Sequence, residues 1–357
     1  DILRTLKERW GLEPGSVILN STHSHCGPQT SFQFHRLLGK ADREYVNELI
    51  QKLYEAVAMA ESNAEPVTVE RGRGESRIGV QRRRYADGRV YGGSFPDGLM
   101  DPEVIVVRFR TANGSPKAVI VHYACHPVTT TDNYVSSEFT GAAMEMLEQE
   151  LGDGAVCLFM QGCCGDINIY KESAPPELAG NDEAIIRYFG EKLSQCASAV
   201  LSGAMQTLAP TELKGRADTL SLELKPLETK EELERIAAEG KSPYDEWAAE
   251  MLGKIGERPE TLTLTLCRLD VAEGFSLLAM SAEVVVEYGL YLKELSRGKI
   301  VPVPYSNGML GYIPTRKQVG YGGYESETSS YYFHMPGRFA ESVEEAMHRK
   351  LAELSAD

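Results

Sequence analysis

Apolar positions along the chain recur with two different periods, and stretches of one alternate with stretches of the other. Val46, Leu49, Ile50, Leu53 and Val57 follow Asp42 at three- and four-residue intervals, and Ile185, Ile186, Phe189, Leu193, Ala197 and Val200 follow Asn181 in the same way. Both patterns predict amphipathic helices, each preceded by a side-chain oxygen able to cap its first turn. Ile2, Leu3 and Leu6, leading to Trp10, predict a helix at the start. Val284, Val285, Val286, Tyr288 and Leu292 predict another, and residues 341–354 a last one. Short apolar runs, unbroken or alternating, predict strands over 16–21, 104–107, 117–122, 155–160, 261–266 and 275–280. Interleaved in this order, they predict an α/β chain with a mixed β-sheet core flanked by helices, built on one large sheet.

Between the strands, residues 227–257 are charge-rich, with Glu228, Lys230, Glu231, Glu232, Glu234 and Arg235 close together. That density predicts a helical surface insertion with a solvated face. No internal repeat, low-complexity tract or clean linker divides the sequence, so residues 1–357 read as one domain. The helical pattern starts directly at Asp1, so the natural start is expected upstream.

Composition narrows the function classes. A net charge of −15 over 357 residues opposes phosphate backbones and anionic lipid headgroups, which argues against a nucleic-acid partner or a polybasic anchor. No apolar stretch approaches the roughly 20 residues of a membrane span. Arg82, Arg83 and Arg84 form the one local basic run. Of seven cysteines, Cys26, Cys125, Cys163 and Cys164 lie in small-residue segments without disulfide-framework spacing, which predicts reduced thiols and a cytoplasmic setting.

Candidate chemistry gathers where predicted strands end. His23 and His25 follow the run over 16–21, and His122 and His126 stand at the end of the run over 117–122, so two short segments hold four of the seven histidines. Catalytic groups in open α/β folds collect at such ends, and histidines from distant segments suit a metal. A histidine after a strand is also an ordinary core or loop residue. The turn Gly162-Cys163-Cys164-Gly165-Asp166-Ile167-Asn168 follows the run over 155–160 with residues small enough for close approach to a ligand. Glu283 follows the last apolar strand and either joins the site or caps the helix after it. Tyr305, Tyr312, Tyr321 and Tyr324 sit on glycine-rich loops that lack the spacing of a phosphate-binding loop.

Taken together, these segments resemble the neutral, non-lysosomal ceramidase family, zinc amidases that cleave the N-acyl bond of the sphingolipid ceramide. Thr22-His23-Ser24-His25-Cys26-Gly27-Pro28 is similar to the family's T-H-T-H-S-G-P. His126-Pro127 followed by Val135-Ser136-Ser137-Glu138 is similar to its H-P and V-S-S-D, and Gly165-Asp166-Ile167-Asn168 to its G-D-V-S. Ser281-Ala282-Glu283 stands where the family has P-G-E, Asn307 to Tyr312 where it has N-x-Y-x-x-Y, and Tyr324-Glu325 opens a segment similar to Y-E-G-A-S-T. Order and approximate spacing hold from residue 16 to about 330. The resemblance implies a ceramidase-like catalytic domain with Zn2+ held by His23, His126, Glu283 and Tyr312. His25, Arg82 and Tyr324 would line the substrate site, with Arg83 or Arg84 able to take Arg82's place.

Two departures shape the implied mechanism. Asn168 stands where the family has its nucleophilic serine, and an amide cannot form an acyl-enzyme. The family's first strands and its C-terminal immunoglobulin-like domain are not in the sequence, so a small-molecule N-acyl substrate is as compatible as a lipid-like one. The expected route is direct attack of a zinc-activated water on an amide. His25 would act as acid or base, and Arg82 or Tyr324 would stabilise the oxyanion or hold a substrate carboxylate. Asp166 would accept a hydrogen bond from a ligating imidazole. Cys163 or Cys164 could supply a thiol nucleophile instead. An ester or phosphoester hydrolase and a noncatalytic metal-binding relative are the rival readings; the sequence sets no oligomeric state.

Overall fold

The computed structural model describes residues 2–130, 133–152 and 154–356. In chain order the strands are β1 (Val67–Glu75), β2 (Gly79–Ala86), β3 (Arg89–Phe95), β4 (Glu103–Thr111), β5 (Pro116–Tyr123), β6 (Val156–Gln161), β7 (Ile167–Ile169), β8 (Gln206–Thr207), β9 (Lys214–Glu223), β10 (Thr261–Ala272), β11 (Phe275–Met280), β12 (Glu283–Val284), β13 (Ile300–Val303) and β14 (Tyr312–Ile313). Five form a mixed sheet in the order β6-β5-β4-β1-β8, and four form a second in the order β13-β11-β10-β9. The central strand β4 shows why the sheets stack. Its even residues Val104 and Val106 pack with Phe139, Leu147, Phe189 and Leu193 of the helices Glu138–Leu151 and Asp182–Ser202. Its odd residues Ile105 and Val107 pack with Phe275, Leu277, Val301 and Val303 of the second sheet. Side chains alternate across a strand, so a run apolar at every position must be covered on both faces.

β11 repeats this logic from the other side. Phe275 and Leu277 face the first sheet, while Leu278 and Met280 face Tyr288 and Leu292 of the helix Val286–Leu295 and Val343, Met347 and Leu351 of the helix Val343–Ala356. Two stacked sheets between two helical layers result, and each fully buried aliphatic side chain contributes about 1.5–3 kcal/mol to holding the layers together. The mixed α/β class agrees with the sequence expectation, but the one large sheet is divided into two.

Local expectations hold at several ends and fail at two. Asp42 and Asn181 cap their helices, accepting from the amides of Tyr45 and Ala184. Residues 227–257 form the helices Lys230–Ala238 and Tyr244–Gly253, pinned to each other by Leu233, Trp247, Ala248 and Met251. The segment 16–21, however, is no strand: Asn307 replaces a strand neighbour, accepting from the Leu19 amide at 2.8 Å and donating to the Val17 carbonyl at 2.8 Å. The helix expected from Val284 starts at Val286, leaving Glu283 in β12. Among the described residues no helix is long and apolar enough to cross a membrane.

Candidate metal centre and its cleft

Two small sheets carry the candidate residues. β12 and β14 pair in parallel with Glu283 opposite Tyr312, which brings a carboxylate and a phenol from distant segments side by side. β2, β3 and β7 form the other sheet, with Val80 opposite Asn168, and His126 makes an isolated bridge with Asn168 on its far side. Gly165 lets these units meet: its amide donates to the Val284 carbonyl at 3.0 Å, and a Cβ there would lie 3.1 Å from Val284 backbone atoms. The histidine loop is stitched on by the His25 amide to the Pro127 carbonyl at 3.3 Å and the Ser136 amide to the Cys26 carbonyl at 2.8 Å. His23 takes a left-handed φ of 63°, a conformation that a non-glycine residue holds only when its surroundings dictate it.

At the centre, His25 Nε2 lies 3.3 Å from His23 Nε2, His23 Nε2 lies 3.4 Å from Glu283 Oε2, and His126 Nε2 lies 3.5 Å from the same oxygen. Nδ1 of His126 contacts the carbonyls of Cys164 at 2.6 Å and Ile167 at 3.1 Å, so that nitrogen carries the proton and Nε2 presents a lone pair. The His23 ring stacks on Tyr305 at 4.6 Å. Burial, opposed by the neighbouring Glu283 carboxylate, lowers the His126 pKa to about 4. His25 is the exposed member of the trio, yet desolvation by the surrounding protein and the charges of His23 and His126 lower its pKa to about 3. For Glu283 burial acts to raise the pKa, but His23 and His126 outweigh it and hold the carboxylate well below its ordinary range.

This arrangement fits a metal ion. His126 Nε2 and Glu283 Oε2 are both buried without a hydrogen-bond partner, although each is an acceptor facing the other. Two ligands on a tetrahedral zinc lie roughly 3.3 Å apart, against the 3.3, 3.4 and 3.5 Å measured here. His23, His25 and His126 together form a group able to hold an ion. His25, expected as an acid or base, therefore also stands within reach of a ligand's role.

Tyr312 joins this centre to a cleft. Its hydroxyl accepts from Arg82 Nη2 at 3.1 Å, while Arg82 Nη1 donates to Asn168 Oδ1 at 3.3 Å and Nε to Glu325 Oε1 at 2.8 Å. Of the three successive arginines the structure brings Arg82 to the centre: Arg83 pairs with Glu325 and the Gly322 carbonyl, and Arg84 lies over the rings of Tyr91 and Phe95. The Tyr324 and Tyr312 rings meet edge to face at 5.5 Å. Arg82, Asn168 and Tyr324 line a cleft of about 580 Å³ that also takes in Val128, Ile169 and Lys171.

Three sequence expectations need revision or addition. Asp166 accepts from the Val286 amide at 2.9 Å and from the side chains of Gln81 and Gln318 at 3.2 and 3.1 Å, so it fastens the start of a helix, and a backbone carbonyl orients His126 in its stead. Cys163 and Cys164 are buried, and burial raises both thiols well above their ordinary pKa, which suits packing better than nucleophilic attack. Sequence reasoning gave no role to Glu138, fully buried at a left-handed φ of 59°, whose carboxylate accepts from the amides of Thr129 at 3.0 Å and Thr130 at 3.2 Å and faces the Cys26 thiol. It thereby ties the segment after His126 to the segment after His25. The hint was its place at the end of the motif Val135-Ser136-Ser137-Glu138, before a helical run. Glu325 was visible as a motif member and Tyr305 as a loop tyrosine, both without a function.

No protein-family model matches the sequence. By structure the chain is similar to neutral ceramidase from Pseudomonas aeruginosa, with a TM-score of 0.72 and 18% identity, covering 99% of this chain and 63% of that one. It is likewise similar to a ceramidase complexed with C2, with a TM-score of 0.72 and 17% identity, covering 99% of this chain and 64% of that one. The chain thus shares their fold and spans just under two thirds of their length.

Proposed function

We propose that this chain is a divergent member of the neutral ceramidase family and a zinc-dependent hydrolase of N-acyl amide bonds, acting as a single catalytic unit. The observation that carries the reading is the pair of buried, unpartnered acceptors, His126 Nε2 and Glu283 Oε2, with His23 beside them. Burying unpaired acceptors face to face is strongly unfavourable unless a cation joins them.

His23, His126 and Glu283 would hold the ion, with Tyr312 as the fourth ligand. Zinc there would supply a Lewis acid for the acyl carbonyl and lower the pKa of water toward neutrality. Burial and Glu283 push the Tyr312 pKa up, and Arg82 partly offsets them by donating to its oxygen. His25, held neutral, takes a proton from the attacking water and returns it to the departing amine. The Tyr324 hydroxyl, on the cleft wall, donates to the developing oxyanion, a contribution on the order of 10²–10³ in rate. Asn168 has no hydroxyl to acylate, so water attacks directly.

The test is elemental analysis of purified protein beside turnover on N-acyl substrates, chromogenic esters and phosphoesters. About one zinc per chain, lost in His23→Ala and His126→Ala together with amide hydrolysis, is expected. A folded His126→Ala protein with full turnover would sink the reading, and turnover confined to esters or phosphoesters would move it to the rival hydrolase class.

A further inference from the structure

The cleft beside the metal centre has an uneven supply of donors and acceptors. Arg82, Arg83 and Lys171 bring three cations to its wall, against two carboxylates, Glu172 and Glu325. Glu325 is engaged by both Arg82 and Arg83, and Glu172 accepts from the Ser94 hydroxyl at 2.8 Å. Lys171 has no ion-pair partner among the described residues, so the recess is locally cationic in a chain whose net charge is −15. A low-dielectric wall focuses such a field on whatever enters.

Asn168 adds to the imbalance. Its Oδ1 accepts from Arg82 Nη1, which turns the NH2 end of the amide away from Arg82, and among the described residues nothing accepts from that NH2. Of the five N–H groups of a guanidinium, Arg82 uses one each on Glu325, Asn168 and Tyr312, leaving two. The free donors on this wall are two N–H of Arg82, the NH2 of Asn168 and the Lys171 ammonium, and the one carboxylate there that no cation pairs with among the described residues is Glu172. Arg82 already reaches Tyr312, so an anion held by its free N–H groups would sit next to the reacting carbonyl.

We propose that this wall binds an anionic oxygen group, carboxylate or phosphate, on the amine half of the substrate, so that the preferred substrates are N-acyl amino acids or N-acyl aminoalkyl phosphates. The proposal rests on the hydrolase reading for its chemistry, though its binding prediction stands without turnover. Asn168 then acts as a specificity residue: where a serine would offer one donor and a nucleophile, the amide offers two donors and no nucleophile.

The experiment is calorimetric titration of the zinc-loaded protein with N-octanoylglycine, N-octanoyl-O-phosphoethanolamine and the neutral N-octanoylglycinamide. One of the two anions is expected to bind at least about 10-fold more tightly than the neutral amide, as charge-assisted hydrogen bonds require; the tighter one identifies the group. Lys171→Glu and Asn168→Leu are each expected to shrink that ratio about threefold or more, with circular dichroism and melting temperature reporting the fold. Equal binding of charged and neutral compounds, or a ratio that neither substitution changes, overturns the proposal. Tight anion binding without hydrolysis of any of the three supports this inference while counting against the hydrolase reading.

Discussion

The two halves of the candidate site are held by different means. The metal half, His23, His126, Glu283 and Tyr312, is fixed by backbone: a parallel strand pair sets Glu283 against Tyr312, a bridge sets His126 against Asn168, and a carbonyl at 2.6 Å fixes the His126 ring. In the cleft half, Arg82 and Asn168 also stand on paired strands, but their functional ends are set by side chains meeting around Arg82, which donates to Asn168 Oδ1 and lies over the Tyr324 ring. Backbone pairing is indifferent to which side chains it carries and so keeps the metal half in place, whereas in the cleft half a changed side chain changes the contacts themselves. The departure from the family pattern at Asn168 falls in the second half, where a substitution alters what is bound without dismantling the metal centre.

Breaking the metal half should give the largest effect. His126→Ala is expected to abolish zinc binding and lower turnover by about 10³-fold or more, since in the proposed mechanism the ion would supply both the nucleophile and carbonyl polarisation. Zinc content and kcat on one N-acyl substrate check this. Glu283→Gln, nearly isosteric, should weaken zinc by at least about 10-fold, read by chelator competition. If Glu283→Gln leaves affinity unchanged, the carboxylate is no ligand.

His25 lies on the border between the halves. As an acid or base its loss should cost about 10²–10⁴ in kcat with zinc retained in His25→Ala. Loss of zinc instead would place it among the ligands, as its 3.3 Å approach to His23 permits. Glu138 tests whether the backbone frame is itself maintained from a distance. Glu138→Gln puts an NH2 against one of the amides of Thr129 and Thr130, and about 10-fold weaker zinc binding is expected, with restoration in Glu138→Asp, the residue type the family carries there.

How far the site could be read beforehand follows the same division. The strands β4, β5, β6, β10 and β11 were legible because burial on one or both faces writes itself into apolar runs. The division into two sheets was not, since Ile105 and Val106 are equally apolar whichever layer covers them. The proposed ligands could be picked out only as a set: singly, Glu283 was as good a helix cap as a ligand, and the actual fastener of that helix, Asp166, was assigned elsewhere. The segment 16–21 misled because Asn307, nearly 300 residues away, satisfies its backbone. Glu138 was visible as a motif residue, but its role was not, because its partners are amides, which have no sequence identity.

His122 and His126 give the smallest and most exacting contrast. Both are buried, and each has one ring nitrogen near a carbonyl and the other unpartnered, so an unpaired nitrogen alone marks nothing. What differs is the surroundings: Nε2 of His126 faces Glu283, whereas His122 lies against the Pro302 carbonyl at 2.8 Å and feels the positive charge of Lys293. Burial, followed by that charge, lowers the His122 pKa to about 3. In the unfolded chain the ring titrates near its ordinary 6.5, so between pH 6.5 and about 3 the unfolded state binds a proton that the folded state refuses. Stability from this group is complete above pH 6.5 and is lost as the pH falls toward 3. The slope is up to about 1.4 kcal/mol per pH unit. His122→Gln, which keeps a donor for Pro302, should remove that part of the acid slope in metal-free protein followed by urea titration, while leaving zinc affinity at pH 7 within about twofold. A fall in zinc affinity comparable to that of Glu138→Gln would mean that His122 also supports the metal half, and the contrast between the two histidines would collapse.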